Sequence, residues 1–228
     1  MLALKLGMSL VSSNKGGAEW TPTDESSLEA WWQKGVGITL NGSDVSAWTD
    51  SSSNNIDMAQ TTAGNQPAYS DGVLTFDPAA SSYLQSASGQ ISLSGDFTIG
   101  AKIKPAGLGV VVADLTSSGE FVRFNTTSNL RVKIDGGANT DIPKDSGTYD
   151  EEAYMVLTRV SGTLTLHWKG VAQSTTPSVA GTADVDGIGA RKPSSNPFDG
   201  EMSEIQVYSS SSAALTANIN ARLLSLMP

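Results

Sequence analysis

Between Val36 and Val207 the chain is a succession of short runs in which apolar and polar residues alternate, each stopped within a few residues by Gly, Asn, Asp or Ser. Side chains of a strand point in turn to its two faces, so a period of two builds sheets with one apolar face. No run in this stretch carries the period of an amphipathic helix. Helical bundles and alternating β/α folds are thereby excluded, and a sandwich or jelly roll is left. Residues 96–104 (DFTIGAKIK) put Phe97, Ile99, Ala101 and Ile103 on one face. Residues 119–125 supply Phe121 and Val122 with Phe124, and residues 130–134 supply Leu130, Val132 and Ile134. Asp135, Gly136 and Gly137 then end the run with residues that tolerate positive φ. Residues 154–160 and 163–169 predict a hairpin around Ser161 and Gly162, with Leu164, Leu166 and Trp168 buried and His167 facing solvent. No repeat of fixed period recurs, which argues against a propeller.

The two ends differ from this body. Leu215, Ile219, Leu223 and Leu226 form a helical stripe, with Ser209 to Ser212 offering an N-cap. This helix is expected to cover one end or face of the sandwich. At the start, Leu2, Leu4, Leu6, Met8 and Leu10 share one face of an extended run, and residues 12–18 (SSNKGGA) read as a linker. Such a strand either pairs with its own domain or reaches out to a partner, because left uncovered it invites aggregation. The chain therefore divides into an apolar arm and linker, 1–18, and a domain, 19–228.

Composition narrows the chemistry. The 228 residues include no cysteine and one histidine, and the net charge is −9. Disulfides, thiolate zinc sites, iron–sulfur clusters and cysteine nucleophiles are excluded. The acidic balance argues against nucleic acid as a partner. No apolar stretch approaches about 18 residues, so no membrane-spanning helix is expected, and residues 1–11 make a poor signal peptide. Ser and Thr together number about 50, which with only 16% charged residues describes a hydroxyl-coated surface.

Few residues suggest a site. Sugar recognition wants an aromatic platform beside amides and carboxylates in loops. Trp48, Asp50, Asn54 and Asn55 make such a group locally, although Trp48 also suits the core and Asp50 and Asn54 also suit turns. Trp31 and Trp32 must face opposite ways, leaving one as core and the other as a candidate interface anchor. A Ser-His-Asp triad would need His167, and no Gly-x-Ser-x-Gly elbow accompanies it.

Residues 45–55 (VSAWTDSSSNN), with Gln60 and residues 66–69 (QPAY), resemble an early segment of laminin G-like, concanavalin A-like jelly-roll domains. Residues 74–77 (LTFD) with Tyr83 and Leu84, residues 96–99 (DFTI), residues 188–191 (IGAR) and residues 198–208 (FDGEMSEIQVY) continue that resemblance, and the closing helix fits it. It implies an all-β fold: a two-sheet antiparallel jelly-roll sandwich with a C-terminal helix and, here, an extended N-terminal arm. The fold hosts lectins, adhesion modules and hydrolases. With its short apolar arm after the initiator Met, the chain is also similar to lectin-like virion proteins of tailed, notably marine, phages.

Those resemblances imply a non-enzymatic virion surface protein: a capsid decoration, fibre, collar or tail component assembled in the host cytoplasm. Its expected partners are other virion subunits through the arm, a glycan or host surface, and further copies of itself, with neither nucleic acid nor a membrane. A secreted or cell-surface carbohydrate-binding module is the alternative, ahead of a glycan hydrolase. Glycosidases of this fold resemble one another in a Glu-x-Asp-x-x-Glu motif, which is absent here. The nearest pair, Glu201 and Glu204, would point to opposite faces of a regular strand unless a bulge intervened, with Glu204 anchoring a neighbouring loop. No catalytic residue and no cofactor is expected. Related domains often hold calcium at the rim, for which Asp50, Asp77, Asp114, Asp184, Asp186 and Asp199 are the available oxygens. They are not clustered in sequence, and no metal site is assigned.

Overall fold

A computed structural model describes residues 19–86, 88–116, 119–144, 150–191 and 195–228. The apolar arm with Leu2, Leu4, Leu6, Met8 and Leu10, and the linker after it, lie outside the described residues. What is described is a sandwich of antiparallel strands closed by one α-helix.

The first sheet runs in the order Leu28–Trp32, Gly200–Tyr208, Phe97–Pro105, Ala153–Val160, Thr163–Trp168, Val171–Ala172. The second runs Met58–Ala59, Leu84–Ser86, Gly187–Ile188, Gly109–Ala113, Phe121–Thr126, Asn129–Lys133, Thr140–Pro143. They join along one side through Asp44–Trp48, Ala68–Ser70 and Val73–Phe76, the last of which pairs with Gly200 to Met202. The hairpin expected around Ser161 and Gly162 is present, with φ of 48° and 81° at the two turn residues. Positive φ at both central positions matches the twist of the paired strands.

Alternation sorts the side chains as expected. Phe97, Ile99, Ala101 and Ile103 face Val122, Phe124, Leu130 and Val132 within one core, joined by Leu164, Leu166 and Trp168. Phe124 meets Trp168 edge-on with centroids 5.8 Å apart, which ties the sheets together. Phe121 departs from the expected grouping. It lies on the opposite face from Val122 and Phe124, in a small cluster with Val110 and Ala113. Arg159 is a buried cation at the core margin. It donates to the carbonyls of Leu93, Gly95 and Gly181 and stacks 4.7 Å from Phe97. A guanidinium so placed keeps its charge because backbone oxygens replace water.

The helix Ala213–Ser225 lies on the outer face of the first sheet. Ser212 caps it, its Oγ accepting from the Leu215 N–H at 3.0 Å. Leu215, Ile219 and Leu223 pack on Tyr154, Val156 and Tyr208. Gly100 permits the close approach: a Cβ there would sit 2.6 Å from Ile219 Cγ2.

Candidate functional site

Trp48, Asp50, Asn54 and Asn55 are close together, and internal contacts occupy them. Trp48 has no exposed surface, and its indole N–H donates to the Gln33 carbonyl. Asp50 is buried and accepts from the backbone N–H groups of Trp31, Ser52 and Ile56 and from the Ser52 hydroxyl. The Asn54 amide donates to the carbonyls of Leu28 and Glu29, and the Asn55 amide to Ser53. The group fastens the loop after the Asp44–Trp48 strand to the edge strand Leu28–Trp32. Trp32 enters the core, and Trp31 packs on the other face beneath the Arg222 guanidinium, 4.8 Å from its ring.

The remaining acids are dispersed in the same manner. Asp77 accepts from the Ala79 N–H, Asp114 from Thr116, Asp184 from the Ser92 hydroxyl, and Asp186 from the Leu115 N–H. Burial raises the carboxyl of Asp186, helped by the nearby Asp114 charge. Among the described residues no three acidic or histidine side chains are grouped to hold a metal ion.

Glu201 and Glu204 share a face. The register passes from Met202 opposite Ile103 to Glu204 opposite Lys102, so Ser203 is a bulge residue that restores the two glutamates to one side. Their environments nevertheless separate them. Glu204 is wholly buried and takes two hydrogen bonds from Arg222, at 2.5 and 2.9 Å, and one from Gln206. It anchors the helix rather than a loop. Gln206 in turn accepts from Tyr208, whose phenol burial pushes far above its ordinary value. Glu201 sits 3.7 Å from Lys104 at the wall of a cavity of about 120 Å³ that also holds Lys102, paired with Glu152. Every acid in that cavity is thus matched by a lysine. His167 keeps to the face opposite Leu164, Leu166 and Trp168, half-buried in a groove beside the helix N-terminus with Thr158, Thr165 and Asn220. Burial lowers its pKa below the ordinary imidazole value.

The outer face of the second sheet is different. Phe121, Arg123 and Asn125 alternate with the buried Val122 and Phe124, and Arg131 lies directly opposite Arg123. The guanidinium groups of Arg123 and Arg191 stack on the same Phe121 ring, at 5.0 and 4.9 Å. Arg123 Nη1 donates to Asn196 Oδ1 at 2.5 Å, across from the 195–199 segment. Arg131 is held by both oxygens of Asp141, at 2.6 and 2.8 Å. With its amide turned to satisfy both groups, Asn125 donates to the Asn129 carbonyl and accepts from Arg131 Nη2.

Beside this cluster opens a groove of about 260 Å³, bordered by Arg123, Asn125, Asn196 and Asp199 and by the apolar Leu108 and Pro197. Leu108 is 47% exposed. Planar guanidinium, amides, a carboxylate and an exposed aliphatic surface in one shallow concavity form a donor and acceptor set for a hydroxyl-rich ligand. These residues escaped notice in the sequence because strand pairing and a distant loop assemble them. The available signal was the alternation itself, which sets Arg123 and Asn125 on the face opposite Val122 and Phe124.

A sequence profile of a laminin G family, described as Concanavalin A-like lectin/glucanases superfamily, matches residues 78–218. No curated protein matches the chain at a significant level. Among solved structures, Trypanosoma rangeli sialidase bound to a 2,3-difluoro-KDN ligand is similar with a TM-score of 0.58 and 14% identity, over 89% of this chain and 33% of that one. Domain 4 of AbnA, a GH43 extracellular arabinanase from Geobacillus stearothermophilus in complex with arabinotriose, gives 0.56 and 12%, over 85% of this chain and 97% of that one. Botulinum neurotoxin type C, whose cell entry depends on interaction with two ganglioside molecules, gives 0.54 and 11%, over 89% and 52%. The chain spans about a third of the length of the sialidase structures it matches. At these identities the likeness is one of fold.

Proposed function

Because the chain belongs to the Concanavalin A-like lectin/glucanases superfamily, we propose that it is a carbohydrate-binding module without hydrolytic activity of its own. The observation that carries this reading is the groove of Arg123, Asn125, Asn196 and Asp199, which offers hydrogen-bonding side chains beside the exposed Leu108. Two structures of the same fold are complexes with arabinotriose and with sialic acid, which supports testing saccharides first. The commitment of Glu204 to Arg222 supports a non-catalytic role, since a glycosidase needs two carboxyl groups at the scissile bond. A glycan array probed with the full chain, with and without chelator, tests the proposal. Specific retention of a saccharide class, lost in Asn196→Ala, is expected. An array blank across neutral and acidic glycans would overturn it.

A second proposal concerns where the module acts. The alternating Leu2, Leu4, Leu6, Met8 and Leu10 suit strand addition or an apolar groove on a neighbouring virion subunit. Deleting residues 1–13 should abolish particle incorporation and leave the melting temperature of the domain unchanged. Incorporation at full occupancy by the truncated chain would disprove the anchoring role.

A further inference from the structure

The groove on the second sheet is unusual in its charge. The protein carries a net charge of −9, yet Arg123, Arg131 and Arg191 converge on this one patch. Like charges drawn together repel unless anions stand between them. Among the described residues Asp141 is the acid whose attraction reaches Arg123, and both of its oxygens are already engaged by Arg131. Among the described residues Arg123 forms no ion pair, and its Nε–H is buried without an acceptor. Its position is fixed all the same, by Asn196 at Nη1 and by the Phe121 ring beneath. A guanidinium held rigidly, short of acceptors and bordered by other cations is preorganised for a planar or tetrahedral anion.

Resting on the reading that the groove takes saccharides, we propose that its ligand is an acidic saccharide, whose carboxylate or sulfate group pairs with Arg123. The polarity of the groove sets the orientation. Asp199 lines the same groove; its carboxylate would repel an anion and accepts well from sugar hydroxyls. The acidic substituent therefore lies at the Arg123 end and the hydroxyl-bearing ring extends toward Asp199, over Leu108.

Isothermal titration calorimetry of the full chain tests this with three probes of matched length: an oligogalacturonate, a sulfated oligogalactan and a neutral oligogalactan. At least one acidic probe is expected to bind about tenfold or more tighter than the neutral one, the scale of one charge-assisted contact. Which acidic probe wins identifies the anion. Raising salt should weaken the acidic probe and leave the neutral one unaffected. Arg123→Gln should abolish the difference between acidic and neutral probes. Arg123→Lys keeps the charge and loses the fork, and should retain part of it, which covers the case of a poorly folded glutamine variant. Equal affinity for all three probes in the unmodified chain would overturn the acidic preference and leave the glycan reading standing. Binding to none of them, nor to any glycan on the array, would remove both.

Discussion

The two outer faces of the sandwich use similar residues to opposite ends. Each presents a bidentate arginine–carboxylate pair: Glu204 with Arg222 on the first sheet, Asp141 with Arg131 on the second. Each stacks a guanidinium on an aromatic ring, Arg222 on Trp31 and Arg123 on Phe121. On the first sheet the helix Ala213–Ser225 lies over the pair, so Glu204 has no solvent contact and its charge must be balanced inside the protein. On the second sheet Asp141 stays about a third exposed, and among the described residues the neighbouring Arg123 forms no ion pair. The difference shows that coverage, rather than residue type, decides which polar residues are enclosed in the fold and which stay at the surface.

The sharpest way to break this comparison is Arg222→Ala. Removing one partner of a buried pair leaves an uncompensated charge, which costs about 3–5 kcal/mol. The expected readout is a fall of that size in unfolding free energy by urea titration. A loss below about 1 kcal/mol would mean that water reaches Glu204 and that the two faces are alike. The second prediction uses pH. Lys102, on the covered side, is pushed down to about 8, chiefly by burial and then by the Lys34 charge, against the pull of Glu201. Between about 8 and the ordinary 10.5 the unfolded chain holds a proton that the native protein has released. Stability should therefore rise with pH across that window, by at most about 1.4 kcal/mol per unit. Lys102→Met should remove this component, seen as the difference between two urea titration series.

How much of this was legible in sequence follows from the range of the interactions involved. The strands around Phe97, Leu130 and Leu164 were legible because alternation is written within a few residues, and the helix because Leu215, Ile219 and Leu223 repeat on one face. The bulge at Ser203 was not, since it depends on the register against the Phe97–Pro105 strand, about a hundred residues away. Trp48, Asp50, Asn54 and Asn55 looked like a site for being polar, aromatic and adjacent. Adjacency alone does not distinguish a loop that binds ligand from a loop that binds its own edge strand. The arginine groove is the converse case, in which Arg123 and Asn196 meet only after the 195–199 segment folds back on the second sheet.

The smallest expected effect is also the most specific to the comparison. Arg131→Ala removes the same kind of bidentate pair as Arg222→Ala, at a site open to water. Solvent screening limits such a pair to about 1 kcal/mol at neutral pH. The Arg131 hydrogen bonds, more than its charge, hold the Asp141 carboxyl below its ordinary 3.8. A lowered carboxylate pKa contributes stability that is present above 3.8 and lost as pH falls through the native value. The difference between wild type and Arg131→Ala should therefore be small at pH 7 and shrink toward zero in acid, as Asp141 is protonated in both. Urea titrations at pH 7 and at successively lower pH follow it. A loss at pH 7 as large as that of Arg222→Ala would show that Asp141 is shielded as Glu204 is, and that the second sheet is no open binding face.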